Sequence, residues 1–348
     1  MSARAIAARA ALVLGVALAA PLVGRLDARP SQDGAAPRPT PAPERAGDAP
    51  QDAAAAARLA AAWREALELD LPGEVLASGA WIETRADADP ELAALYARAL
   101  FDAGQAARAA SILARGRSAP LILVEARIAL ERDELARARA LLAPEPGARE
   151  PVRFPAADEC WLLLGRALAR ADELARAEPL LVEFVRRAPF HAETPQAWFL
   201  LVDCARARGD GALALRREES RARSAEWHAY YRARRLQARA NPKEPLPRLG
   251  LAQLWLSAGE LERARAEVTA ALELDPRFCR ALELAAEIER RAGHVQRATQ
   301  LAVEALGCDA TLVEIHLTRA RLARDQGDAQ GYAAHLARYR ERGGTKDP

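Results

Sequence analysis

The chain has 348 residues, of which 51% are hydrophobic and only 5% aromatic, and 50 basic side chains nearly balance 48 acidic ones. The formal net charge of +2 argues against a general nucleic-acid binder, which carries a basic excess on one domain. Alanine supplies 86 residues, and 48 of the 50 basic residues are arginine. Alanine, leucine, arginine and glutamate all favour helices, so the composition predicts an all-α chain. A GC-rich genome also explains the preference for alanine and arginine.

The N-terminal segment, residues 1–24, has the pattern of an export signal. Arg4 and Arg9 precede an apolar run from Ala10 to Gly24, which as a helix is about 22 Å long. A bilayer core is roughly 30 Å thick, so the run predicts a cleaved secretory signal peptide at 1–24, and an uncleaved signal anchor is the alternative. We therefore expect an exported protein, periplasmic or in the cell envelope, that contacts the inner membrane only through this segment if the segment is retained.

Residues 25–52 shift to proline, alanine, glycine and charge, with alternating prolines from Pro37 to Pro43. Proline fixes φ and removes backbone donors, so this stretch is predicted to be a disordered, extended linker.

A regular spacing of glycines organises the rest of the chain. Gly259, Gly293 and Gly327 recur at equal intervals, and helical apolar periodicity precedes and follows the first two of them. Turn-to-turn distances upstream are less regular. The sequence therefore predicts degenerate helix pairs at 53–157, clearer repeats at 158–340 and a disordered tail at 341–348.

The clearest single copy of the repeat contains a set of apolar and small residues at fixed spacing: Trp161, Leu164, Gly165, Leu168, Ala177, Leu181 and Pro189. This copy resembles the tetratricopeptide repeat (TPR) family, whose unit of about 34 residues has the pattern W-x2-L-G-x2-Y, A-x3-F and a late proline. The interval between the three glycines equals the length of that unit. Leucine replaces both later aromatics, and Ala264 and Ala298 occupy the slot of Ala177. The resemblance implies a right-handed α-solenoid of antiparallel helix pairs, a TPR-like superhelix, that acts as a scaffold or adaptor for other proteins.

Two irregular copies flank the clear one. The sequence predicts a degenerate first helix pair at residues 53–86, with Pro72 at the start of its second helix. The copy that begins near Pro195 has a second helix that is predicted to be overlong, extending through Trp227 to Ala240.

The inner surface of such a solenoid is formed by the first helix of each pair. Its ninth and twelfth repeat positions hold seven arginines, which are Arg98, Arg127, Arg166, Arg206, Arg290, Arg321 and Arg324. Because guanidinium groups bind carboxylates through forked hydrogen bonds, these residues predict a groove for a protein or peptide partner with acidic groups. Arginine is common on exposed helix positions throughout this chain, so the excess over expectation is small.

Motifs for catalysis are absent from the sequence. There is no G-x-x-x-x-G-K-[ST], H-E-x-x-H or G-x-S-x-G, and no two of the five histidines are three or four residues apart. Glu/Arg pairs at helical spacing, such as Glu283 and Glu287 beside Arg290 and Arg291, predict solvated helix faces. We predict no catalytic residues, no cofactor and no metal.

Four cysteines are present, without a C-x-x-C motif. Cys279 opens a first helix, and Cys308 closes the second helix of the same predicted pair. Antiparallel helices bring these two ends together, so a Cys279–Cys308 disulfide is one hypothesis for an exported protein. Buried, reduced thiols that pack as small hydrophobes are the alternative.

Together these features predict a non-catalytic interaction scaffold or adaptor that binds a protein or peptide partner in the groove, and no nucleic acid. The rival hypothesis is an enzyme-accessory or repeat-built protein that binds a small anion or glycan among the groove arginines. A third hypothesis is self-association through an exposed terminal repeat.

Overall fold

A computed structural model describes residues 49–85, 88–144 and 147–346. The predicted signal segment (1–24) and most of the predicted linker (25–52) lie outside this range. Within the described residues, no helix is both long enough and apolar enough to cross a bilayer. The same residues contain helices and turns but no strand, which confirms the predicted all-α class.

The helices alternate along the chain as the first and second members of antiparallel pairs. The first helices are α1 (Ala53–Glu68), α3 (Pro90–Asp102), α5 (Ala119–Glu131), α7 (Asp158–Arg170), α9 (Thr194–Ala207), α11 (Pro245–Ala258), α13 (Cys279–Arg291) and α15 (Glu314–Asp325). The second helices are α2 (Pro72–Gly79), α4 (Ala106–Leu113), α6 (Leu135–Leu142), α8 (Leu174–Arg187), α10 (Gly211–Ala240), α12 (Leu261–Leu274), α14 (Val295–Cys308) and α16 (Ala329–Glu341). A short 3-10 helix, Ala80–Glu83, follows α2.

Local sequence explains where several helices begin. Asp52 caps α1 by accepting a hydrogen bond from the Ala55 N–H (2.6 Å), and Asp89 caps α3 in the same way through the Glu91 N–H (2.9 Å). These bonds satisfy backbone donors that have no partner inside the helix. Proline begins α2, as predicted at Pro72, and also begins α3 and α11, where its fixed φ suits the first helical turn.

The turn inside most pairs uses a residue with left-handed backbone. Gly259, Gly293 and Gly327 have φ of 82°, 84° and 75°, which glycine adopts without a steric penalty. Asp133 and Asp172 take the same conformation at φ of 62° and 61°, and a short polar side chain makes this region tolerable. The regular interval in the sequence is therefore the spacing of a repeated turn geometry.

Helix α10 accounts for the largest irregularity in that spacing. Gly209 and Gly259, the turn glycines before and after it, are farther apart than Gly259 and Gly293 or Gly293 and Gly327. Helix α10 has 30 residues, whereas α12, a second helix of ordinary length, has 14. This difference equals the excess in the turn spacing. The predicted overlong helix through Ala240 is thus confirmed, and the extra length adds helix without changing the helix-pair pattern.

Small residues allow the helices of a pair to approach each other. Ala177, Ala264 and Ala298 are fully buried. A Cβ atom added at Gly165 of α7 would lie 2.8 Å from Leu181 Cδ2 of α8, closer than packed carbon atoms come. The predicted role of these positions in close helix packing is confirmed, and Trp63, Trp161 and Trp255 are buried as packing residues.

The described residues divide into two compact units, which we call the N-terminal unit (residues 49–229) and the C-terminal unit (from Tyr230). Their boundary lies inside α10, whereas the sequence division at 157/158 rests on repeat regularity. In the N-terminal unit, successive first helices from α1 to α9 contact one another, and in the C-terminal unit α11 contacts α13 and α13 contacts α15. Six second helices, α2, α4, α6, α8, α12 and α14, pack against the first helices before and after them. We call the side on which successive first helices meet the inner face of each unit.

Each unit is therefore a stack of helix pairs in which an apolar stripe is buried against the neighbouring pair. This is the architecture of a TPR-like repeat protein.

Candidate functional site

The inner face of the N-terminal unit contains a network of charged side chains centred on Arg127. Arg127 extends from α5 and has only 7% of its surface exposed. Its Nη1 and Nη2 donate to the two Glu193 carboxylate oxygens at 3.0 and 2.6 Å, and its Nε donates to Glu159 Oε1 at 3.0 Å. Glu159 lies on α7 and Glu193 directly precedes α9, so one guanidinium joins three consecutive helix pairs.

Arg166 joins this network from α7. Its Nη1 donates to Glu193 Oε1 at 2.9 Å, and its Nη2 lies 3.9 Å from Glu131. Glu193 is positioned by its own backbone, whose N–H donates to His191 Nδ1 at 3.2 Å. Two of the predicted groove arginines, Arg127 and Arg166, thus meet on a single carboxylate.

The charges in this network stabilise each other. Burial alone would raise the pKa of Glu193, but the nearby charge and hydrogen bonds of Arg127, with the charge of Arg166, lower that pKa to about 2. The pKa of Glu159 is also lowered, because Arg127 outweighs the effect of burial. Both carboxylates are therefore charged at neutral pH, and they hold the guanidinium groups in fixed orientations.

The other two predicted arginines of this unit lie outside the central network. Arg98 Nε on α3 is 3.6 Å from Asp102 Oδ2, and Arg206 Nη1 on α9 is 3.6 Å from Asp203 Oδ1. The side chain of Arg206 is 62% exposed. Arg206 therefore offers the most accessible guanidinium among the predicted residues of this unit.

The inner face of the C-terminal unit has a second network, centred on Glu287 of α13. Glu287 accepts two hydrogen bonds from Arg290 at 2.9 Å each and one from Arg291 at 2.8 Å. Arg321 of α15 approaches the same carboxylate at 3.5 Å, and Arg290 also donates to Asp325 at 2.7 Å. Two predicted groove residues, Arg290 and Arg321, are thus joined through a carboxylate, as in the N-terminal unit.

The third predicted residue of this unit, Arg324, lies exposed on α15. Its positive charge contributes to a lowered pKa of Arg321, after burial, which is the larger cause.

Burial and charge compete at the acidic groups of this inner face. Burial alone would raise the pKa of Glu287, but hydrogen bonds from Arg290 and Arg291 lower it. One turn earlier on α13, burial and the charge of Glu314 raise the pKa of Glu283 to about 7. The inner face therefore carries one carboxylate whose pKa is lowered and, one turn away, another whose pKa is raised to about 7.

The prediction that Glu287 lies on a solvated helix face is wrong. Its exposure is only 8%, because α15 packs over this part of α13 and brings Arg321 and Thr318 against the carboxylate. Helical spacing showed that Glu287 pairs with Arg290 and Arg291, but it could not show that the next first helix covers the carboxylate.

Sequence reasoning also missed Glu159, Glu193 and Asp325. Arg127 and Glu193 are 66 residues apart, so no local spacing connects them. A search for acidic residues on the first helices of neighbouring repeats would have found Glu159 and Asp325.

The structure joins Cys279 and Cys308 by a disulfide, with Cα atoms 5.5 Å apart. The bond connects the start of α13 to the end of α14, the two ends that the sequence hypothesis paired. Cys160 and Cys204 are reduced and buried, and burial raises the pKa of each thiol. Both therefore pack as small apolar groups.

Among the described residues, no three or more His, Cys, Asp or Glu side chains form a group that could hold a metal ion.

A cavity of about 300 Å³ lies beside the α7–α8 turn and is lined in part by Glu178, Cys204 and Arg208. The Glu178 carboxylate is already bound by Arg208 at 2.5 Å and by Arg217 at 2.6 Å. The polar groups of this cavity are therefore largely satisfied by one another.

Comparisons with known proteins give similarities at the level of solved structures. No protein-family model matches the chain, and no curated protein matches it. The chain is similar to TTC0263, a thermophilic TPR protein of Thermus thermophilus, with 18% identity over 54% of this chain and 92% of that one, at a TM-score of 0.30. It is also similar to YrrB, a TPR protein with an unusual peptide-binding site, with 10% identity over 66% and 94% of the chains, at a TM-score of 0.27.

A third similarity is to MamA of Desulfovibrio magneticus RS-1, with 13% identity over 55% of this chain and 97% of that one, at a TM-score of 0.28. The repeat architecture of this chain follows from its own helix pairs and turn residues, and does not depend on these overlaps.

Proposed function

We propose that the protein is a non-catalytic scaffold or adaptor that binds a protein or peptide partner on the inner faces of its helix stacks. The observation that carries the proposal is the pair of arginine–carboxylate networks centred on Arg127 and Glu287. Each network joins side chains from successive first helices and fixes guanidinium groups before any partner arrives. Groups that are already fixed lose less conformational entropy on binding, which favours affinity.

The ion pairing refines the kind of partner that this surface fits. An acidic partner has to share or displace Glu193 and Glu287 at the two networks, so its carboxylates gain most from a more exposed guanidinium group, such as that of Arg206. A partner of mixed charge also complements the carboxylates between them. Electrostatic complementarity of this kind contributes to specificity and association rate.

Partner capture tests this proposal. The full chain is immobilised and exposed to the native envelope fraction, and bound proteins are quantified by mass spectrometry. Replacing Arg166 and Arg321 together with alanine is expected to reduce capture, whereas replacing Arg186 and Arg297, which lie on second helices, is expected to leave capture unchanged. Equal capture by both double variants would contradict binding on the inner faces.

A melting experiment distinguishes the scaffold from the rival hypothesis, in which the ligand is a small anion or glycan. A ligand library that raises the melting temperature of the wild-type chain but not that of the Arg166/Arg321 variant would favour the rival. Indifference to small ligands, together with selective protein capture, would favour the scaffold.

We further propose that the protein is exported, and is either released to the periplasm or cell envelope or retained on the inner membrane by its N-terminal segment. The apolar run at 10–24 and the Cys279–Cys308 disulfide support this, since disulfides persist in oxidising compartments. N-terminal sequencing of the native protein distinguishes the alternatives: a start near residue 25 indicates cleavage, and an intact Met1 in the membrane fraction indicates an anchor. Native protein confined to the cytosol with four reduced thiols would contradict export.

A further inference from the structure

The last helix pair contains the same short motif on both helices. His316-Leu-Thr-Arg319 lies on α15 and His335-Leu-Ala-Arg338 lies on α16. Residues three apart lie on the same face of a helix, so each motif presents an imidazole and a guanidinium on one side. The two imidazole rings stack on each other, with centroids 6.5 Å apart and an interplanar angle of 23°. The two motifs therefore form one cluster of four nitrogen-rich side chains.

The imidazoles of this cluster have unmet hydrogen-bonding capacity. His316 is 4% exposed, and both of its ring nitrogens are buried without a hydrogen-bond partner, as is His335 Nδ1. A neutral imidazole carries one N–H donor and one acceptor nitrogen. A buried donor without a partner costs free energy comparable to a lost hydrogen bond. The cluster therefore lacks an acceptor.

The cluster also lacks a counter-charge. In the described part of the chain, neither Arg319 nor Arg338 has a carboxylate within ion-pair distance, in contrast to Arg127 and Arg290. Burial and the charge of Arg338 lower the pKa of Arg319.

The neighbouring charged groups do not supply this counter-charge. Burial and the charges of Arg319, Arg338 and Arg342 lower the pKa of His316. The pKa of His335 is lowered by burial and by the same Arg319 and Arg338, and only partly offset by Asp328.

These neighbours are engaged elsewhere. The Asp328 carboxylate caps α16 by accepting from the Gly331 N–H at 2.8 Å, and Arg342 donates to the Ala310 carbonyl. On the inner side of α15, Glu287 of α13 and Asp325 are bound by arginines of the Glu287 network.

We propose that the His316/Arg319 and His335/Arg338 motifs form a binding site for a phosphate-type oxyanion. Arg319, Arg338 and the half-buried His335 are the groups that contact the anion, and His316 supports His335 from behind. The oxyanion supplies both features that the cluster lacks, acceptor oxygens and negative charge, and guanidinium forks match its geometry. The site is separate from the inner-face networks, so it stands independently of the proposed scaffold function.

A purely structural role for these residues makes a different prediction. His316 and Arg319 occupy the repeat slots of Trp161 and Leu164 in α7, because both sets precede their turn residue, Gly327 or Asp172, by 11 and 8 positions. On this structural alternative, the polar residues at these positions have a single role, which is to keep the outer surface of a terminal repeat soluble. In that case phosphate has no effect beyond its ionic strength.

Calorimetric titration of the full chain with inorganic phosphate tests the proposal, against sodium chloride at equal ionic strength. We expect specific binding. Sulfate, whose charge is the same at pH 6 and at pH 8, should bind more tightly at pH 6, because the anion raises the pKa of the imidazoles and binding takes up protons. The Arg319→Gln/Arg338→Gln variant is expected to bind phosphate with an affinity at least about tenfold lower. Arg340→Gln, which removes one positive charge two residues beyond Arg338 on α16, is the control and should bind as the wild type does.

Two further measurements complete the test. The His316 and His335 ring proton signals of the wild-type chain, followed by NMR during phosphate addition at constant pH, need no variant and should shift together. Flotation with phosphatidylglycerol vesicles, compared with phosphatidylcholine vesicles, shows whether the phosphoryl group can belong to a lipid headgroup. Flotation of the wild type that the double variant loses assigns the site to a lipid. Phosphate binding without flotation assigns it to a free anion. If phosphate acts no differently from chloride, the imidazole signals do not move and no flotation occurs, the site does not exist.

Discussion

At the scale of single residues, the side chain with the greatest structural consequence is Arg127. Its guanidinium is buried, and it bridges Glu159 and Glu193 from two following helix pairs. The desolvation of such a group is offset only while its partners are in place, so a buried ion pair is costly to break. Arg127 therefore belongs to the framework of the inner face, whereas the accessible Arg206 is suited to contact a partner.

Replacing Arg127 with methionine removes the cation that Glu159 and Glu193 share, and only Arg166 then remains paired with Glu193. We expect a loss of about 3 kcal/mol in the free energy of unfolding at pH 7, measured by urea denaturation. In the wild type, the lowered pKa values of Glu159 and Glu193 contribute stability that is complete above their ordinary value near 4.5. This contribution is lost as the pH falls toward about 2.

The difference between the wild type and Arg127→Met should therefore shrink between pH 4.5 and pH 2. The control is Arg186→Met, which removes an exposed arginine paired with Glu183 and should leave the stability close to that of the wild type, because exposed ion pairs contribute little. A constant difference across that pH range would show that the carboxylates do not depend on Arg127.

At the scale of helices and helix pairs, close packing depends on small residues at a few positions. Gly165 faces Leu181 across the α7–α8 pair with no room for a methyl group. In contrast, Gly307 lies exposed in α14 with nothing within 4 Å of an added Cβ. The two glycines therefore differ in whether there is space for a methyl group.

Gly165→Ala is expected to destabilise the chain by about 1 to 3 kcal/mol, because either the helices or the Leu181 side chain must move. Gly307→Ala should stabilise it by about 0.5 to 1 kcal/mol, because alanine restricts the unfolded chain. Thermal and urea unfolding of both variants measure these changes. A stabilising Gly165→Ala would mean that α7 and α8 do not pack as closely as described.

The α13–α14 pair is connected covalently by Cys279 and Cys308, 29 residues apart. Closing a loop of this length is expected to stabilise the unit by about 3.6 kcal/mol. Denatured, non-reduced protein should show two reactive thiols, Cys160 and Cys204, and four after reduction. Reduction should also lower the unfolding midpoint of the wild type but not that of a Cys279→Ser/Cys308→Ser variant. Four reactive thiols before reduction would exclude the bond.

At the scale of the whole molecule, the fold is more predictable than the site. Turn glycines and apolar periodicity are local features, so the helix pairs, the Pro72 helix start and the overlong helix to Ala240 follow from the sequence. The partners of the inner-face arginines do not, because Arg127 and Glu193 come together only when three helix pairs stack. The predicted positions of Arg127, Arg166, Arg290 and Arg321 on first helices were sufficient to locate the networks, but not to identify the carboxylates that hold them.

The central claim is that the protein binds its partner through the inner faces of its helix stacks. Site-specific photocrosslinking in the native envelope tests it directly, with the photoreactive residue placed at Arg206 on the first helix α9, and at Arg186 on the second helix α8 as an equally exposed control. We expect a discrete protein adduct from position 206 and none from position 186. Adducts from position 186 alone, or equal adducts from both positions, would contradict the claim.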